Sequence, residues 1–270
     1  TFLTNKSTPK IHMLDCYHIS EMAEANIEYT DLTLEELLEA DNIPCATCLP
    51  EQWEKYKEEH PGYKVVSYVN TTAAVKALTD CVVTSGNAKK VIDSFPQDEK
   101  IIFGPDYNLG NYINSITGRN MLLWNGGCHV HEKFSVEAIG KLKQKHPEAV
   151  VMAHLECKAP VLAVADVKGS TATMLHYAQE HPEIKEYIIA TEAGILHELE
   201  RNCPNVIFYP VPPEVSEGGV GCSCNECEYM KMNTLKKIYN ALKFGWPTVE
   251  VAPEIAKKAV KPIEKMLSLS

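Results

Sequence analysis

Residues 64–70 read KVVSYVN and residues 149–156 read AVVMAHLE, two Val-rich runs bounded by polar residues. Runs of that kind mark buried strands. The segments downstream of the two runs are alike. After the first come TTAAVKALTD as a helix, CVVTS as a strand, and NAKKVIDSF as a helix that Thr84 or Ser85 is placed to cap. KIIFGPD then reads as a strand, NLGNYINSITG as a helix, and NMLLW as a strand running into NGGCHVH. After the second run, PVLAVAD is a short helix, VKGST leads into a helix from TATMLHYAQ, EYIIATE is a strand and AGILHELERN a helix. NVIFYPV closes this set and passes through a Gly-rich loop into GCSCNECEYMKMN.

The two sets are one pattern at a period of about 85 residues, an internal repeat of α/β units with parallel sheets. Tyr68 and Asn70 fall opposite His154 and Glu156, and Ser85 opposite Ser170. The last strand of each set leads to cysteine, Cys128 in one and the Cys222, Cys224 and Cys227 group in the other. One period before Cys128 stand Cys45 and Cys48, in NIPCATCLP. The expected fold is therefore α/β, with three similar units: 1–60, 61–145 and 146–250. The first is shortened, and the C-terminal helix 251–270 is expected to pack on it. Ligands of open α/β sheets sit beyond the carboxyl ends of strands, where these polar and cysteine residues lie.

Composition bounds the chemistry. At 270 residues and 45% hydrophobic, the chain can fill a full core. Its net charge of −10 argues against a nucleic-acid partner, which would want a basic face. The opening TFLTNKSTPKIHMLDCYH lacks the apolar core of a secretory signal, and no apolar run approaches the ~20 residues of a membrane span. A cytoplasmic protein is expected. Its 10 cysteines then point to metal or redox chemistry rather than disulfides. Cys81 and Cys203, set in apolar strings, read as buried core thiols.

Two metal readings compete. CATC and CNEC supply the two knuckles of a structural four-cysteine zinc site, which leaves Cys128 and the adjacent HVH without a role. An iron–sulfur cluster on three dispersed thiolates uses Cys128 and leaves one iron open to act as a Lewis acid. Dehydration beside it would want proton carriers such as Tyr68, His131, His154 and Glu156.

From about Cys48 to the C-terminus the chain resembles the quinolinate synthase family. The strings YVNTTAAVKALTD, VVTSGNA, IIFGPDYNLG, GCHVHEKF, AHLEC, VKGST, IIATEAG and CNECEYMKMNTL carry the likeness. The resemblance implies three units around a pseudo-threefold axis and a [4Fe–4S] cluster at their junction. It implies the condensation of iminosuccinate with dihydroxyacetone phosphate to quinolinate in NAD biosynthesis, a C–C bond-forming transferase reaction with loss of water. L-aspartate oxidase or aspartate dehydrogenase would be the functional partner. Cys128 and Cys227 would be cluster ligands, with Cys45 or Cys48 as the third. Tyr68, Val69, Asn70 and Ser85 would hold iminosuccinate. His154, Leu155 and Glu156 would bind substrate, His154 and Glu156 moving protons, with His131 close by. Ser170 and Thr171, at a helix start, would take a carboxylate or phosphate. Glu192 also matches a family position.

The N-terminal part departs from the family. The family's His-x-Tyr is met here by Asp15-Cys16-Tyr17, which keeps the catalytic tyrosine but places a carboxylate against a dicarboxylate substrate. A Gly-Asp-Ser segment and the helix and strand after it have no counterpart. NIEYTDLTLEELLEADN reads instead as a helix with Thr33 and Glu36 as a capping box. An inactive relative serving only as a metal-binding scaffold, on zinc or iron–sulfur, is the alternative to an active enzyme. C-x-x-C spacing also admits redox pairs at Cys45/Cys48 and Cys224/Cys227.

Overall fold

The structure, a computed structural model, describes residues 2–5, 10–13, 27–30, 43–44, 50–213, 225–246 and 248–269. Contacts divide the chain into two compact units, one of Thr1–Gly126 with Val251–Ser270, the other of Gly127–Glu250. The first carries a small mixed sheet of strands β1 (Phe2–Asn5), β2 (Lys10–Met13), β3 (Ile27–Thr30) and β4 (Ile43–Pro44), in the order β3-β1-β2-β4. Pairings of β1 with β2 and β3 are antiparallel, and β2 pairs β4 in parallel. The stretch NIEYTDLTLEELLEADN, expected as a helix, instead begins with strand β3 over Ile27–Thr30, held by pairing to β1. Its residues 31–42 lie outside the described residues, as do Tyr17, Cys45, Cys48, Cys222 and Cys224.

The repeat read from the sequence is visible as two parallel four-stranded sheets in an α/β fold. The first unit pairs β5 (Lys64–Tyr68), β6 (Cys81–Val83), β7 (Ile101–Gly104) and β8 (Leu122–Leu123) in the order β6-β5-β7-β8. The second unit pairs β9 (Val150–His154), β10 (Val167–Gly169), β11 (Glu186–Ala190) and β12 (Ile207–Pro210) in the order β10-β9-β11-β12. The two orders are the same. Strands buried on both faces explain the unbroken apolar runs: Val65, Val66, Met152 and Ala153 are all fully buried.

Details repeat as well. Asp80 N–H donates to the Val65 carbonyl, and the Asp80 carboxylate accepts the Val65 N–H at 2.8 Å. Asp166 makes the same two bonds to Val151, its carboxylate again 2.8 Å from the N–H. Pairing of Tyr68 with Val83 and of His154 with Gly169 sets the register. By that register Thr84 stands opposite Ser170, and Ser85 opposite Thr171, one residue from the match read in the sequence.

Helix starts obey local chemistry. Thr72, Asp106, Ser135 and Ser170 each accept a first-turn N–H through their side chains, capping helices Ala73–Ala77, Tyr107–Thr117, Val136–Lys145 and Thr171–Glu180. Neither Thr84 nor Ser85 caps the helix Ala88–Asp93. Asn87 is the cap residue, and its side-chain oxygen turns back to accept the Thr84 N–H at 2.7 Å. The helices Pro50–Glu59 and Val136–Lys145 were not foreseen.

Trp53 from Pro50–Glu59 meets Trp124 edge-on, with ring centroids 4.7 Å apart. Both rings lie against Gly104, where a Cβ would collide with Trp124. The helix Pro253–Leu269 packs on Ala73–Ala77 and β6, within the second of the three units read from the sequence, whereas most of the first lies outside the described residues. Ala259 and Met266 are buried there, and the Lys265 ammonium sits 4.4 Å over the Phe95 ring. Among the described residues no helix is long and apolar enough to cross a membrane.

Candidate metal and substrate site

In the first unit the expected substrate residues occupy the carboxyl ends of β5 and β6. Tyr68 is the last residue of β5, half-buried. Val69 donates its N–H to the Val83 carbonyl, and Thr71 closes a turn onto the Tyr68 carbonyl. Asn70 at the turn's tip is exposed and Ser85 is half-buried. Behind them Ser67 and Thr79 share a buried hydrogen bond of 2.9 Å, which satisfies two hydroxyls inside the sheet-helix layer.

In the second unit the equivalent ends hold a tighter cluster. His154 closes β9, and Leu155, Glu156 and Cys157 form the same turn, with Cys157 N–H on the His154 carbonyl. His154, Leu155 and Glu156 are all buried. His131, on the short 3-10 turn His131–Lys133, stacks on His154 with ring centroids 4.5 Å apart. Its Nε2 meets Thr191 Oγ1 at 3.0 Å, and its Nδ1 lies 3.3 Å from a Glu156 carboxylate oxygen. That approach is an ion-pair distance without hydrogen-bond alignment. Cys128, His131 and Glu156 each offer a ligand atom within 4.8 Å of the others, a donor set able to hold a metal ion.

Burial alone would lower the His131 pKa, but the neighbouring Cys128 and Glu156 outweigh it and push it up to about 10. His154 goes the other way, down to about 4, because burial and the adjacent His131 disfavour its charged form more than Glu156 favours it. Hydrogen bonding agrees, since His154 Nδ1 accepts the Glu156 backbone N–H at 3.4 Å and so carries no proton there. One imidazole holds its proton at neutral pH and the other stays neutral.

Ser170 is buried and caps its helix, its oxygen 3.2 Å from the Thr173 N–H and 3.0 Å from the Thr173 hydroxyl. Thr171, beside it, is exposed.

The two cysteine loops are hung from their sheets in the same way. In the first unit Tyr107 N–H donates to the Gly126 carbonyl, and Cys128, two residues on, already belongs to the next unit. In the second, Ala193 N–H donates to the Asn225 carbonyl, and Cys227 comes two residues later. The donor in both cases is the third residue past its strand. Asn225, buried, also ties the loop down by a side-chain bond to the Val211 carbonyl. Cys128 and Cys227 are half-buried thiols. Burial pushes the Cys227 thiol up, the Met230 and Tyr229 backbone groups pull it down, and Cys128 and Glu192 add to the rise.

By donor chemistry two half-buried thiols suit iron or zinc, and Cys45 and Cys48 lie outside the described residues. Thr191 and Asn225 went unnoticed in the sequence. Thr191 stands inside the ATEAG string, but its partner lies 60 residues away.

The family model of the quinolinate synthetase A protein matches residues 38–268. The quinolinate synthase of Synechococcus sp. is 42% identical over 224 residues, covering 83% of this chain and 68% of that protein. That of Trichodesmium erythraeum is 45% identical over the same length and coverage. That of Synechocystis sp. is 42% identical over 233 residues, covering 86% of this chain and 71% of that protein. With the strings of the repeat, the strand-end polar residues and the two hung cysteines in register, the chain belongs to the quinolinate synthetase A family.

Proposed function

We propose that the chain is a quinolinate synthase of NAD biosynthesis, a transferase condensing iminosuccinate with dihydroxyacetone phosphate. The cluster would be [4Fe–4S], held by Cys128, Cys227 and either Cys45 or Cys48. The observation that carries this reading is the shared suspension of Cys128 and Cys227, each two residues past a carbonyl bonded to the strand-end turn. When bound, such a cluster supplies an open iron that acts as a Lewis acid toward a carboxylate or hydroxyl.

The protein's own residues do the rest. A His131 that keeps its proton is a fixed cation beside the site, suited to an anionic substrate. His154, neutral at physiological pH, is too weak a base to take a proton fully and serves best as a hydrogen-bond donor through Nε2. Glu156, its carboxylate 3.3 Å from His131 Nδ1 and 4.0 Å from His154 Nδ1, is the carboxylate placed to accept a proton. Tyr68, Val69, Asn70 and Ser85 would bind iminosuccinate, Leu155 would line the same site, and Ser170 with Thr171 would receive the phosphate or a carboxylate at a helix start. Tyr17 would be the family tyrosine. L-aspartate oxidase or aspartate dehydrogenase would supply the imine, in the cytoplasm.

Anaerobic purification tests this: the protein should be brown, with about four irons per chain. Replacing Cys128 with Ser should abolish the cluster, and the native protein should form quinolinate from the two substrates. A colourless protein with one zinc per chain, untouched by Cys128→Ser, would favour a structural zinc site on CATC and CNEC. A loaded protein that makes no quinolinate would leave only a metal-binding scaffold.

A further inference from the structure

Glu192 stands two residues past β11, and its carboxylate is used twice. One oxygen accepts the Gly194 N–H at 2.7 Å, and the other accepts the Cys227 N–H at 3.2 Å, across 35 residues of chain. Gly194 makes room for this. A Cβ there would lie 2.7 Å from the Glu192 carboxylate, although the backbone, at φ −60°, would accept any residue. The glycine is therefore needed for space rather than for conformation.

The first repeat shows what an acidic residue does here by default. Asp106 holds the same position two residues past β7, and its shorter side chain accepts the Leu109 N–H at 2.7 Å, capping its own helix. Glu192 gives that up, because the helix Ile195–Asn202 has no side-chain cap. The extra methylene sends the carboxylate to the cysteine loop instead. Thr191, next in the chain, is turned to His131 and takes no part.

We propose that Glu192 is a positioning residue: its carboxylate, seated over Gly194, fixes the main chain at Cys227 and so aims that thiolate at the metal. The metal part rests on the cluster reading above, whereas the clamp on Cys227 does not. Charge-assisted bonds from a carboxylate to backbone N–H groups are the stronger kind, so the clamp holds the loop where a neutral contact would let it open.

The test uses full-length, cluster-free, reduced protein and amide hydrogen exchange at Cys227, with Ile188 and Ile189 of β11 as the reference for an intact sheet. Glu192→Asp keeps the charge but falls short of Cys227, as Asp106 does in its repeat. It should speed exchange at Cys227 about tenfold, the loss of one hydrogen bond, with the β11 amides unchanged. Gly194→Ala should do the same by displacing the carboxylate, and Thr191→Val should leave Cys227 protected. Exchange at Cys227 within twofold of native in Glu192→Asp overturns the clamp. If that variant loosens β11 as well, Gly194→Ala decides by the same criterion. Reconstituted Glu192→Asp should retain less than half the native iron, and native-level iron with an opened loop overturns the metal-aiming role. A native protein that gathers no iron defeats the cluster reading while leaving the exchange result to stand or fall alone.

Discussion

His131 and His154 lie face to face, their ring planes 18° from parallel, yet their surroundings drive them in opposite directions. His154 is held down to about 4, against an ordinary 6.5, so the folded chain refuses a proton that the unfolded chain accepts. Stability from this source is lost as pH falls from about 6.5 to about 4. His131, pushed up to about 10, contributes fully below 6.5 and loses its contribution as pH rises toward 10. Urea midpoints of cluster-free protein should therefore fall on both sides of neutrality. His131→Gln should flatten the alkaline limb, and Glu156→Gln should lower the His131 pKa read by NMR.

Thr191 is the partner that keeps His131 Nε2 from being a buried orphan. Thr191→Val preserves shape and removes the hydroxyl. It should cost about 1–3 kcal/mol in urea unfolding, the penalty for leaving a buried polar atom without its bond. A loss below a few tenths would mean that the ring finds another partner.

Gly104 sits under Trp124 with no room for a methyl group. Gly104→Ala should cost about 1–3 kcal/mol by overpacking. Because Trp53 and Trp124 meet at that point, their fluorescence should shift as the pair separates. Unchanged emission with lost stability would place the strain elsewhere.

Asp80 and Asp166 brace the first strand of each sheet through a carboxylate bond. Neither is buried, so water can replace the bond in part. Alanine at either position should cost about 0.5–1.5 kcal/mol, and the two losses should match. Unequal losses, measured by thermal unfolding, would show that the repeat's symmetry does not extend to its energetics. The Lys64 ion pair with Asp80, at 3.4 Å and partly open to solvent, should add little.

The sheets were legible because a strand buried on both faces must be an apolar run, and KVVSYVN, KIIFGPD, AVVMAHLE and EYIIATE are such runs. Hydroxyl residues after β6 and β10 misled by one position, since matching Ser85 to Ser170 by type ignores where each strand stops. Register, not residue type, pairs Thr84 with Ser170. The helix Val136–Lys145 buries only Ile139, so its pattern is faint beside the cysteine loop before it. Of the site, Cys128, His131, His154, Glu156 and Cys227 could be named in advance from the repeat and the family strings. Their geometry could not, because Thr191 to His131 and Glu192 to Cys227 are contacts between residues far apart in the chain.

The carbonyls of Gly126 and Asn225 are gripped by main-chain donors at Tyr107 and Ala193. Tyrosine and alanine have nothing in common as side chains, and neither do glycine and asparagine, yet both pairs build the same hook. A thiol suspended from the peptide backbone keeps its place while the side chains around the hook change freely. Proline at 107 or 193 is the one natural residue that removes the donor, and those two positions are where tolerance to substitution should end abruptly.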